Sequence, residues 1–434
     1  MASAQSRDEV PAEQRAVVAT TGGCPHLGVE FTPLIGEQLA DPYPFYARAR
    51  TEEPVFFSPT FGMWFITRYT DITAILADPG TFSSTDTLPR PPETPTEVQE
   101  VLADYLPDRR LLNTDPPAHT RLRLLIRQGF TPRRLAALEP VIREVANNLV
   151  DTFAADGQVD LISQFAYPLP LTVILGMLGV PAHDMPTMRR WTQESIALNF
   201  ASATLPLEQQ VAYAQGKLAF QRYTRDLVTE RAQAPREDLI SHLLRARQEG
   251  IPPLSTEEVS SLIPGLIIAG HESTAKLIGN TMRLLLTHPE QRQALQRDPN
   301  LTAAAVEEGL RIDAPVLGMV RTTTREVTVG GVALAAGARL FLLYGSANHD
   351  ETYFTDAEQF HPDRARRTSH LAFGHGIHFC LGAPLARLEA RIAIETLGRR
   401  LPGLRLAPEQ SFAHVPSLVF RGLACLGLVW DACP

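Results

Sequence analysis

Cysteine is scarce in this sequence, and long apolar runs are absent. Four cysteines in 434 residues do not make a disulfide framework. The longest apolar run, from Leu262 to Ala269, falls far short of the roughly 20 residues that span a bilayer. Residues 1–28 lack the basic segment and apolar core that mark a secretion signal. We therefore expect a cytoplasmic protein with no membrane anchor.

An excess of positive charge is also lacking, because the net charge is −8 at pH 7. Nucleic-acid-binding surfaces are basic, so nucleic acid is not an expected partner. No Gly/Ser linker, charge block or internal repeat divides the chain, and a hydrophobic fraction of 44% is enough for a large core. We predict a flexible leader over residues 1–28, one domain over residues 29–434, and a monomer.

Helical patterns dominate the remaining sequence. From Asp115 to Arg247 the apolar spacing is mostly helical, and prolines such as Pro181 mark where helices stop or start. Residues 55–67 instead indicate a β-hairpin, because two aromatic and β-branched runs flank the turn residues 58–62. The predicted fold class is mainly α with a smaller β region.

One predicted helix is long enough to cross the whole domain. Ser255 and Glu258 have the spacing of a capping box, and the apolar pattern that follows continues to about Thr287. Such a helix holds roughly 30 residues and spans about 45 Å. It is apolar all round from Leu262 to Ile268, as in a helix buried at the centre of a large protein. Pro264 removes a backbone donor, so we expect a kink or a wide turn there.

Cys380 is the one cysteine with chemically suggestive neighbours. Cys24 falls in the predicted leader, and Cys425 lies in an apolar run as a small core residue would. Cys380 directly precedes a helical pattern that begins at Ala383. Free amides and the dipole at a helix start stabilise an anion, so a thiolate, the species that ligates haem iron, is favoured there.

Glycines and histidines surround this cysteine. Gly376 and Gly382 would let the backbone approach a flat cofactor and direct amides at the sulfur. A zinc site with His375 and His378 is an alternative, but no second ligand pair has suitable spacing. A dinucleotide loop would need glycine where Phe379 stands. A purely structural cysteine would not require so many glycines.

Residues 373–382 resemble the haem-binding loop of the cytochrome P450 family. The family pattern Phe-x-x-Gly-x-x-x-Cys-x-Gly matches Phe373, Gly376, Cys380 and Gly382. The resemblance extends over about residues 41–430. It implies a cytochrome P450 fold with a long central helix over a buried haem b, and Cys380 as the axial ligand of the iron. It also implies a monooxygenase that inserts one oxygen atom from O2 into an apolar small molecule.

Other family landmarks imply roles for two further groups of residues. Glu308 and Arg311 resemble the family's Glu-x-x-Arg pair, whose partner would be Arg364 in the stretch that contains Phe360 and Pro362. This pair would hold the cysteine loop in position. The haem propionates need cationic donors, which the resemblance assigns to His119, Arg123, Arg321 and His378.

Residues 269–274 resemble the family's oxygen-binding groove. Gly270 would let dioxygen and haem approach the long helix, while Glu272, Ser273 and Thr274 would relay protons to dioxygen at the haem. Ser273 stands where the family usually has threonine. It keeps the hydroxyl but loses the methyl group that restricts the rotamer.

The expected chemistry requires two electrons, and the sequence has no flavin, nicotinamide or iron–sulfur fingerprint. We therefore expect a separate ferredoxin or flavoprotein as electron donor. Five arginines could meet an acidic donor on the cysteine side: Arg121, Arg127, Arg133, Arg134 and Arg387. Alternatives are a peroxygenase that uses hydrogen peroxide, and a haem-thiolate gas sensor or electron carrier. Residues 54–69 and 346–350 look most like bacterial members, either free-standing or cut from a reductase fusion.

The resemblance also indicates which segments line the substrate pocket. Four mostly apolar segments are expected there: residues 88–112, 266–269, 316–320 and 415–420.

Overall fold

The computed structural model describes residues 27–87, 94–105, 111–200, 205–364 and 369–431. Cys24, Cys433 and residues 1–26 of the predicted leader lie outside these ranges. Leu27 and Gly28, the last two residues assigned to the leader, are helical and buried. A Cβ atom on Gly28 would collide with the carbonyl of Phe57, so these residues are packed into the domain.

Helices form most of the described chain. The helices before the central one are α1 (Leu27–Glu30), α2 (Gly36–Ala40), α3 (Tyr43–Glu52), α4 (Tyr69–Ala77), α5 (Thr96–Val101), α6 (Ala118–Ile126), α7 (Pro132–Asp151), α8 (Pro168–Met177), α9 (Met185–Phe200), α10 (Leu207–Gln233) and α11 (Leu239–Arg245). The central helix and those after it are α12 (Thr256–Thr287), α13 (Pro289–Arg297), α14 (Thr302–Ile312), α15 (Tyr344–Ala347) and α16 (Ala383–Arg400).

The β region is smaller and lies mostly in one mixed sheet. The strands are β1 (Val55–Ser58), β2 (Met63–Ile66), β3 (Phe82–Ser83), β4 (Gln158–Asp160), β5 (Gly318–Thr323), β6 (Val327–Val329), β7 (Val332–Leu334), β8 (Arg339–Leu343), β9 (Arg405–Leu406) and β10 (Gly427–Val429). The main sheet has the order β1-β2-β8-β5-β3, and β4-β10-β9 and β6-β7 form smaller sheets. The predicted hairpin is confirmed, since Val55 pairs with Ile66 and Ser58 with Met63.

Helix α12 runs through the centre of the helical part, as predicted. Its capping box is present: the Ser255 hydroxyl accepts from the Glu258 amide at 3.1 Å, and the Glu258 carboxylate accepts from the Ser255 amide at 2.9 Å. The helix contacts α8, α10, α14 and α16. It remains α-helical through Pro264, so the predicted wide turn does not form.

The surroundings of Cys425 differ from the prediction. Cys425 is exposed, so its assignment to the core was wrong: its neighbours Leu423 and Leu426 are buried and Cys425 faces outward. Within the described ranges, no helix combines the length and the apolar character needed to cross a membrane.

Candidate active site

A cavity separates α12 from the loop that carries Cys380. Gly270, Ser273 and Thr274 line it from α12, and Cys380 and Gly382 line it from the start of α16. Residues more than 100 positions apart in sequence therefore meet at one site. The expected oxygen groove and the expected iron ligand face the same space.

Short-range hydrogen bonds shape the cysteine loop. The Cys380 amide donates to the Phe373 carbonyl at 2.9 Å, and the Phe379 amide donates to the Gly376 carbonyl at 3.1 Å. Gly374 and Gly376 have φ values of 69° and 70°, a region that favours glycine. A Cβ atom on Gly376 would also collide with the Leu76 carbonyl. Gly376 is therefore required for the turn and for packing against α4, and it does not line the cavity.

Cys380 lines the cavity and is exposed to its open space, while protein atoms crowd the other sides of its sulfur. Burial raises the pKa of the Cys380 thiol above its usual value, although hydrogen bonds from the amides of Gly382 and Ala383 and the charges of Arg123 and Arg387 act in the opposite direction. The helix start therefore offsets only part of the effect of burial on the pKa of Cys380. A bound metal cation deprotonates a coordinating thiol and would convert Cys380 to the thiolate.

Four basic side chains gather at one side of this cavity. The rings of His119 and His378 are 4.2 Å apart, and Arg123 donates to the Phe379 carbonyl at 2.6 Å. Arg321 is 4% exposed and donates to the Thr87 hydroxyl at 2.6 Å and to the Val320 carbonyl at 2.8 Å. The structure thus brings together all four residues expected to bind propionates.

This cluster has the electrostatics of an anion site. Burial, together with His119 and the two arginines, lowers the pKa of His378 to about 3. Both ring nitrogens of His119 and Nε2 of His378 are buried without hydrogen-bond partners. Buried donors without acceptors are costly, and Arg321 makes no ion pair with a carboxylate in the described part of the chain. Two propionate groups would supply the missing acceptors and charge, so these residues fit a haem.

The hydroxyl groups of α12 bond to their own helix. The Ser273 hydroxyl donates to the Ala269 carbonyl at 3.3 Å, and the Thr274 hydroxyl donates to the Gly270 carbonyl at 3.2 Å. A Cβ atom on Gly270 would lie 3.3 Å from the Ile174 side chain of α8. Gly270 therefore allows close helix packing as well as access from the cavity.

Glu272 occupies a different position from these two hydroxyls. It is 7% exposed and does not line the cavity. One carboxylate oxygen pairs with Lys276 one turn along α12, and the other lies 3.7 Å from Nε2 of His271. Burial raises the pKa of Glu272, but the charge and the hydrogen bond of Lys276 lower it by more, so the pKa of Glu272 lies below its usual value.

A tyrosine that the sequence did not suggest completes this network. His271 is fully buried, and its Nδ1 lies 2.9 Å from the Ile267 carbonyl, which can only accept. Nδ1 therefore carries the hydrogen, and Nε2 accepts from the Tyr167 hydroxyl at 3.0 Å. Tyr167 precedes α8, so this bond ties α8 to the centre of α12.

The predicted Glu308–Arg311–Arg364 contact is confirmed. Arg311 donates to both oxygens of Glu308, at 3.0 and 2.8 Å, and Arg364 donates to one of them at 3.0 Å. Glu308 and Arg311 are completely buried. Arg311 also donates to the carbonyls of Asn348, Ala357 and Gln359. The triad therefore holds together the segment that leads to the cysteine loop.

The predicted pocket segments also reach this cavity. Its apolar wall includes members of each segment that fall in the described ranges: Leu111, Leu112, Leu266, Ile268, Val316, Met319 and Phe420. Residues 88–93 and 106–110 of the first segment lie outside those ranges. His375 and Tyr344 also line the cavity, and the sequence did not place them there as haem or substrate contacts.

Comparison with known proteins agrees with this arrangement. The cytochrome P450 family model matches residues 63–401. Cytochrome P450 monooxygenase PikC of Streptomyces venezuelae is 39% identical over 96% of this chain and 97% of PikC. Vitamin D(3) 25-hydroxylase of Pseudonocardia autotrophica is 39% identical over 88% of this chain and 92% of that enzyme.

A solved structure gives the same result. An intact type IV self-sufficient cytochrome P450 monooxygenase superposes with a TM-score of 0.89 at 36% identity, covering 94% of this chain and 53% of that one. The chain therefore belongs to the cytochrome P450 family of haem b-containing monooxygenases.

Proposed function

We propose that this enzyme inserts one oxygen atom from O2 into an apolar small molecule, that Cys380 would bind the haem iron, and that a separate donor protein would supply the electrons. The observation that carries the proposal is that Cys380, Ser273 and Thr274 line one cavity from two different elements. The proposed iron ligand and the proposed proton-transfer residues therefore border the same cavity.

Each group has a distinct task. The haem, when bound, supplies the activation of dioxygen. Cys380 provides an anionic sulfur that favours O–O cleavage, and the amides of Gly382 and Ala383 orient that sulfur. His119, Arg123, Arg321 and His378 bind the propionates.

Proton delivery falls to the polar residues of α12. Ser273 and Thr274 are the hydroxyl residues that pass a proton into the cavity, because both residues line it. Glu272 is the acid that supplies them. Since Glu272 is held by Lys276 and lies outside the cavity wall, the carboxylate must separate from Lys276 to reach a hydroxyl.

The apolar wall favours an uncharged, largely hydrocarbon substrate. A relative of 39% identity is a vitamin D(3) hydroxylase, whose substrate has this character, so vitamin D3 is a suitable first probe. We expect it to displace water from the haem and shift the main absorption band. Isotopically labelled dioxygen should leave one labelled atom in the product.

The electron donor would dock near Phe379, which precedes Cys380 and is 39% exposed. Arg127, Arg133 and Arg134 are exposed and make no ion pair with any carboxylate that the structure describes. Arg121 and Arg387, by contrast, are engaged by Glu258 and Glu307. The first three arginines are therefore the better partners for an acidic ferredoxin.

Two comparisons test the donor. Arg133→Glu/Arg134→Glu should slow electron transfer from a plant-type ferredoxin and reduce its salt dependence, whereas Arg225→Glu, at a half-exposed position of α10, should not. Turnover with hydrogen peroxide that equals turnover with ferredoxin and reductase would identify a peroxygenase instead. A protein that binds ligands but forms no product under either condition would be a sensor or electron carrier.

A further inference from the structure

Glu307, the neighbour of Glu308, links α14 to both ends of the cysteine loop. Arg387 of α16 donates to its two carboxylate oxygens at 2.5 and 3.0 Å. His370, ahead of the loop, lies 3.3 Å from the same carboxylate through Nε2. Because Nδ1 of His370 accepts from the Ala372 amide, Nε2 carries the hydrogen and donates to Glu307.

Arg387 in turn contacts the loop itself. Its guanidinium carbon lies 4.5 Å from the centre of the Phe373 ring, a distance at which a cation is attracted to an aromatic face. The Phe373 carbonyl accepts the hydrogen bond from the Cys380 amide at 2.9 Å. A continuous series of contacts therefore runs from Glu307 through Arg387 and Phe373 to Cys380.

We propose that Glu307 and Arg387 are positioning residues for the cysteine loop. Glu307 fixes the guanidinium plane of Arg387 against Phe373, and this contact holds Cys380 where its sulfur reaches the haem iron. The proposal rests on the proposed function, because it requires Cys380 to be the ligand. It assigns Arg387 to the interior of the site rather than to the surface that meets the electron donor.

The geometry favours this role over a surface ion pair. The Glu307 side chain is only 9% exposed and that of Arg387 is 30% exposed, so the carboxylate is largely withdrawn from water. Two of the guanidinium nitrogens are already bound to it. A planar, forked cation is needed to hold a carboxylate with two bonds and stack on a ring at once, and lysine lacks both properties.

Arg391, one turn further along α16, provides a matched control. Its side chain is 29% exposed, close to the value for Arg387, and it pairs with Glu139 and Glu395. It has no contact with Phe373 among the ring contacts of the described residues. Arg391→Lys therefore changes the same chemistry on the same helix without acting on the loop.

The test uses the purified haem protein and the variants Glu307→Gln, Arg387→Lys and Arg391→Lys. Three quantities are measured: the red-shifted band of the ferrous carbonyl complex that indicates thiolate ligation, the reduction potential, and the affinity for a plant-type ferredoxin. We expect Glu307→Gln and Arg387→Lys to lose the thiolate band several-fold faster on mild heating and to shift the reduction potential. Arg391→Lys should match the parent.

Several results would overturn the proposal. Parent-like band stability and reduction potential in both variants would contradict it, and so would a change confined to ferredoxin affinity, which would make Arg387 a docking residue. If Glu307→Gln yields too little haem protein, Glu307→Gln/Arg387→Met removes the stranded charge. This double variant should still lose the thiolate band quickly on heating. If it loses the band as slowly as the parent, Glu307 and Arg387 only stabilise the fold and do not position the cysteine loop. A parent without the thiolate band would refute the proposed function, and this proposal with it.

Discussion

The Glu308 carboxylate and the Arg311 guanidinium, three residues apart on α14, are joined by two hydrogen bonds while both are completely shielded from solvent. Removing one member strands the other charge in the interior, which typically costs about 3–5 kcal/mol. We expect Glu308→Gln or Arg311→Met to yield protein with little haem and a free energy of unfolding reduced by about this amount. Denaturant titration and haem content measure the effect.

The ion pair between Glu139 and Arg143 on α7 is the control for this prediction. These side chains are 37% and 31% exposed, Arg143 also pairs with Glu395, and ion pairs that water reaches contribute about 0–1 kcal/mol. Arg143→Met should therefore change the free energy of unfolding little. Equal effects at the two sites would show that burial does not determine the contribution of Glu308.

The thiol of Cys380 should be essential for thiolate ligation of the haem iron, whereas the thiol of Cys425 should not be. Serine has a hydroxyl that does not ionise near neutral pH and is not a soft ligand, so Cys380→Ser should lose the thiolate band of the ferrous carbonyl complex. Cys425 is exposed, and Cys425→Ser should leave that band and the activity unchanged. If the thiolate band persists in Cys380→Ser, a residue other than Cys380 is the ligand.

Ser273 should control how efficiently reduced oxygen reaches the product. Ser273→Ala removes the hydroxyl of a residue that lines the cavity and keeps its Cβ atom, so folding and substrate binding should persist while peroxide release increases. Ser273→Thr restores the restricting methyl group and should improve coupling. The measurement is product formed and peroxide released per reduced nicotinamide consumed. Equal coupling in all three proteins would place Ser273 outside the proton route.

The sequence was sufficient where the determining contacts are local. The capping box of Ser255 and Glu258, the β1–β2 hairpin and the cysteine loop depend on residues within about ten positions of one another, and all three are present. The burial of Glu308 could be anticipated only through the family resemblance, because its partner Arg364 lies 56 positions away.

Contacts between distant segments were not predictable. Tyr167 bonds to His271 across 104 positions. Gly376 packs against Leu76 across 300 positions, so glycine is needed there for packing and not for the expected approach to the cofactor. Cys425 shows a related limit: an apolar run indicates that a segment is buried, but not which of its residues faces outward. The pairing of Glu272 with Lys276 is different, since the i,i+4 spacing on a helix could have indicated it.

That pair leads to a prediction about pH. In the parent, Lys276 holds the pKa of Glu272 below its usual value despite burial. A carboxyl group of this kind stabilises the fold above its unfolded pKa, and the stabilisation is lost as the pH falls through the folded pKa. Lys276→Met retains an apolar stem next to Gly422 but removes the cation, so burial should then raise the pKa of Glu272 above its usual value.

The contribution of Glu272 to the free energy of unfolding should therefore depend on pH in opposite directions in the parent and in Lys276→Met. At pH 8 the variant must keep an unpaired buried carboxylate and should be less stable than the parent by about 3–5 kcal/mol. As the pH falls towards 5, protonation of Glu272 relieves this cost, so the difference in the free energy of unfolding should shrink. Glu272→Gln/Lys276→Met has no carboxyl group to titrate, and its difference from the parent should not shrink in this way. If the free energies of unfolding of Lys276→Met and the parent differ by a constant amount from pH 8 to pH 5, Lys276 does not set the charge of Glu272. The proton would then have to enter the cavity by a route that does not require this pair to separate.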